Sequence, residues 1–102
     1  MNNNQFSEAK TIVRLGSLQE KDSQIRIPAF YVIRPAKSTR EAPTETLLVS
    51  LNLPIEQVNS EPEIFNRFVS LWIEYAQESG YEFEYDQELF EKTGEGWRVI
   101  ES

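Results

Sequence analysis

Six carboxylates crowd one stretch near the C-terminal end of the sequence: Glu82, Glu84, Asp86, Glu88, Glu91 and Glu95. Such a run has three chemical uses, namely holding a hard cation through oxygen ligands, moving protons between paired carboxyls, or attracting a basic partner. Spacing separates them. Glu82, Glu84 and Asp86 recur at every second position, so on a strand they leave one face and diverge into solvent instead of converging on an ion. The D-x-[DN]-x-[DN]-G calcium loop is absent, and neither a metal site nor a cofactor is expected. Glycosidase chemistry needs two carboxyls about 5 to 9.5 Å apart across a sugar cleft. With fifteen glutamates in the chain, such pairs arise by chance and carry no specificity.

The residue types that are missing narrow the chemistry further. Histidine is absent, which removes the usual general base near neutral pH, the commonest imidazole ligand and every His-dependent nucleophile arrangement. Cysteine is absent, so disulfides and thiolate metal sites are excluded. The glycines at 16, 80, 94 and 96 are too sparse for a phosphate-cradling loop. No catalytic residue is expected, and a small carboxylate-based enzyme is the rival class.

Attraction of a partner remains. Residues 1–50 carry seven Lys/Arg against five Asp/Glu, whereas residues 51–102 carry three against twelve, which together give the net −7. The expected function is therefore that of a protein-binding or regulatory, inhibitor-like protein that docks a basic partner through its acidic half, with the six carboxylates as the contact residues. The competing reading is a solvated face that keeps a small domain in solution. Direct nucleic-acid binding is not expected, because a net −7 repels phosphates. A sharper alternative is that the acidic half mimics nucleic acid and blocks a DNA-binding or defence protein. Duplex DNA carries a charge per about 1.7 Å, while alternate strand residues supply one per about 6.6 Å. Mimicry therefore requires Glu74, Glu78 and the acids of 88–95 to join the same face.

The elements that must position these groups follow from periodicity. Tyr81 to Asp86 alternates aromatic with acid and predicts a strand with its rings inward. Before it, Ser60-Glu61-Pro62-Glu63 has the form of a capping box, predicting a helix over about 61–79 that Gly80 stops. On a wheel its apolar arc spans about 200°, twice the width that rests on one sheet. The surplus is Ile64, Leu71 and Tyr75 on one flank and Ile73 on the other, a face that a second copy of the chain could cover. Thr46 to Leu53 predicts a half-buried strand with Leu47, Val49, Leu51 and Leu53 on one side. Gln24 to Arg34 predicts another, with Ile25, Ile27, Ala29, Tyr31 and Ile33 on one side and Pro28 requiring an edge or a bulge. Thr11 to Leu15 reads as a short strand ending at Gly16-Ser17, or as the end of a helix begun at Ser7. After Asp86 either a helical turn through Leu89-Phe90 or a hairpin through Thr93-Gly94-Glu95-Gly96 fits, and Trp97 to Glu101 predicts a last strand.

The fold class is thus α+β: an antiparallel sheet of four to five strands with the helix across one face. Phe65, Phe68, Trp72 and Ala76 are expected to meet Ile25, Ile27, Tyr31, Leu47, Val49 and Phe83 in the core. At 102 residues and 39% hydrophobic content the chain supports one core, hence one domain over 1–102 with a flexible lead-in at 1–6 and a mobile loop at 35–45. That loop holds Arg34, Lys37 and Arg40 at or beside it, a solvated connector or a weak basic site. No apolar run reaches the roughly 18 residues of a membrane span, and a chain without cysteine or a signal-like start is expected in the cytoplasm.

Overall fold

A computed structural model describes residues 10–22, 24–38 and 40–101, so the lead-in at 1–6 and the helix start at Ser7 lie outside the described residues. Strand β1 (Ile12–Gln19) is central, paired antiparallel with β2 (Arg26–Arg34), which pairs antiparallel with the edge strand β3 (Thr44–Ser50). The chain then forms a short helix, α1 (Ile55–Val58), and the main helix, α2 (Pro62–Ser79). It crosses the sheet and returns as β4 (Glu82–Tyr85), parallel to β1, giving the order β3-β2-β1-β4. A separate hairpin of β5 (Phe90–Thr93) and β6 (Gly96–Val99) completes the fold.

The α+β architecture with one helix on one face is as expected, but the sheet is mixed. Parallel pairing of β4 with β1 follows from the crossover, because a helix of about 27 Å carries the chain back along the sheet before β4 begins. Of the two ends of α2, only one follows the expected device. Gly80 adopts φ 75° and lets the Tyr81 N–H reach the Ala76 carbonyl at 2.9 Å, the left-handed C-terminal cap. At the other end the capping box does not form. The Ser60 hydroxyl donates instead to the Gln57 carbonyl at 2.7 Å, closing α1, and Glu61 precedes Pro62 without a side-chain cap.

The core lies between the sheet and the layer of α2 and the hairpin. Val13 and Leu15 of β1, Phe30 of β2, and Phe65, Val69 and Ala76 of α2 are all buried there. Phe30 stands 5.4 Å from the Phe68 ring and 6.2 Å from Phe83. The expected inward face of β2 is thereby corrected: the helix side is Pro28, Phe30 and Val32, while Ile27, Ala29, Tyr31 and Ile33 turn to the far face and Ile25 is 42% exposed. Both faces of this strand are apolar, so alternation alone carries no phase. In β3 the phase slips for a different reason. Phe30 pairs with Val49 and Tyr31 with Leu47, leaving Leu48 as an extra residue in a bulge. Val49 therefore faces the helix, and Leu47 goes to the far side, 44% exposed.

Gly16 and Ser17 do not end β1. The strand passes through them, and the Tyr31 ring lies over Gly16, its Cε1 3.7 Å from where a Cβ would stand, while the hydroxyl donates to the Ser17 carbonyl at 3.0 Å. An aromatic ring over a strand glycine replaces the side chain that the glycine lacks. Burial, and after it the nearby Glu45 carboxylate, raises the Tyr31 phenol above its ordinary value. The turn comes later, where Glu20 and Ile25 bond across it and Gln24 takes φ 57°.

Candidate functional site

The expected acidic ladder is built in three separate pieces. Glu82 and Glu84 lie opposite Ile12 and Arg14 on the far face of the sheet, away from α2, and both are exposed. Glu84 Oε2 meets Arg14 Nε at 3.5 Å. Asp86 leaves the strand. Its side chain accepts the Glu88 N–H at 3.0 Å and its carbonyl accepts the Leu89 and Phe90 N–H groups, so it shapes the tight turn into the hairpin. Beyond that turn the chain takes the hairpin path, with Glu95 at the tip donating its N–H to Thr93 Oγ1 at 3.1 Å. Glu91 is cross-strand from Arg98, whose guanidinium bonds it at 3.5 Å and Glu101 at 3.4 Å.

Glu82 and Glu84 thus share a face, while Glu91 and Glu95 stand on the hairpin, and Glu74 and Glu78 belong to the helical layer on the other side of the sheet. The face-sharing that duplex-like charge density requires is not formed by these groups. Among the described residues no charged side chain is buried, and no group of three or more acids gathers to hold a metal. The basic residues of the 35–43 connection, Lys37 and Arg40, are exposed, with the Arg40 N–H on Ser38 Oγ at 3.3 Å and Glu41 close behind. Among the described residues no helix is long and apolar enough to cross a membrane. The chain matches no family model, no curated protein and no solved structure.

Two asparagines that periodicity places among polar helix and loop residues have specific work. Asn66 Oδ1 accepts the Trp97 N–H at 2.7 Å, and its Nδ2 donates to the Trp97 carbonyl at 3.3 Å and the Pro62 carbonyl at 2.7 Å. Asn59 treats Val99 likewise, accepting its N–H at 3.0 Å and donating to its carbonyl at 2.8 Å. The outer edge of β6 is therefore closed by two side-chain amides standing where a strand would be. Gly96, at φ 125°, is required beside them, because a Cβ there would run into the Asn66 carboxamide. This clamp fixes Trp97 edge-on to Tyr85 and Phe83 at 4.8 and 5.7 Å, with Lys92 over its ring. The one local signal for Asn66 is its poor helix propensity in a position where Glu or Gln would serve a solvated face better.

The surplus width of α2 is real on one flank. Phe65, Val69 and Ala76 are buried and Ile73 is half-covered, whereas Ile64 is 49% and Leu71 57% exposed. With Leu51 and Phe68 they line a cavity of about 480 Å³ at the end of β3, whose rim carries Glu63 and Arg67. Farther along the same flank Trp72 and Tyr75 line a second hollow with Glu74 and Glu78.

Proposed function

We propose that this protein is a non-catalytic binding or regulatory protein that docks a basic partner through the carboxylates of its C-terminal half. The observation that carries this reading is the pair Glu82 and Glu84, both exposed and side by side on the face of β4 turned away from α2. Alternate strand positions hold the pair about 7 Å apart on a rigid element, which suits it to register two cationic side chains. Surface carboxylates of this kind act on encounter rate and on register more than on raw affinity. A proton-transferring carboxylate is usually held apart from water, and the acids here lie at the surface, which supports binding over catalysis.

Reversal of Glu82, Glu84 and Asp86 to Lys tests the reading. Among the described residues the only ion pair lost is Glu84 with Arg14, half-exposed and worth less than about 1 kcal/mol, so thermal unfolding should change little. Immobilised wild-type domain should retain a specific basic macromolecule from native lysate at low salt and release it as screening rises. The triple variant should retain little of it. Equal retention by the triple variant, or metal-dependent turnover of a small substrate without any retained partner, would falsify the proposal.

A further inference from the structure

We draw no further inference here: the strongest candidate, the apolar flank of α2 where Ile64 and Leu71 open into the cavity at the end of β3, carries nothing, because nothing in the structure shows what covers it.

Discussion

Asn66 shows how much one side chain can decide here. Removing its amide in Asn66→Ala leaves the Trp97 N–H and carbonyl without their partners, which should cost about 1–3 kcal/mol in urea unfolding. Gly96→Ala should cost a similar amount or more, because a Cβ at φ 125° is both strained and in collision with that amide. In an Asn66→Ala background the collision disappears and the strain persists, so the double-mutant cycle should show Gly96→Ala costing distinctly less there than in the wild type. Additive costs would show that the two residues do not meet. Tyr31 gives a pH test. Burial and then Glu45 raise its phenol above 10.0, so the folded state favours the neutral form. Its contribution is constant below the unfolded value and is lost as pH rises from about 10 through the folded value. The stability advantage of wild type over Tyr31→Phe should therefore be level from pH 7 to 9 and shrink above about 10, measured by urea unfolding. An advantage that grew with pH would contradict the assignment.

At the scale of elements, legibility depended on whether a segment's two faces differ. Tyr81–Asp86 contrasts rings with acids, and its strand was plain. β2 is apolar on both faces, so its strand was readable and its phase was not. Leu48 displaced the phase of β3 by one residue, an event that a regular period cannot contain. The apparent capping box failed because Ser60 had a nearer acceptor in Gln57, and α1 was too short for any periodic signal. Asn59 and Asn66 bond residues 40 and 31 positions away, which local spacing cannot express. The core that results is centred on Phe30 and Phe65 more than on Trp72. Phe65→Ala should cost about 3–5 kcal/mol, and Trp72→Ala, half-buried at the flank, clearly less. Reversal of that order in chemical denaturation would place the weight of the helix on the wrong side.

For the whole molecule, the net −7 was the feature most completely available from composition, and it acts on the fold as well as on partners. Like charges repel in the compact state, so raising NaCl from about 10 to 150 mM should increase the melting temperature of the wild type as the screening length falls from about 30 to 8 Å. The triple Lys reversal adds six positive units and brings the net charge to −1, so its melting temperature should respond much less to the same salt. An equal response in both would mean that local ion pairs, not the overall field, set the dependence. What composition could not supply was distribution: it could not show that α2 sends Glu74 and Glu78 to one layer while β4 holds Glu82 and Glu84 on the other.

The pairing of Asn59 and Asn66 with the backbone of β6 has a consequence for descent. Both amides grip main-chain atoms, which every residue except proline presents alike, so Trp97 and Val99 can drift in a lineage while the grip stays intact. Insertions between 59 and 66 or between 97 and 99 cannot, because either would put the two amides out of step with the strand. The ancestry of this chain should therefore be written less in its core than in a spacing, two asparagines seven apart and a glycine thirty positions after the second, and distant kin should share that spacing after their hydrophobic residues have diverged.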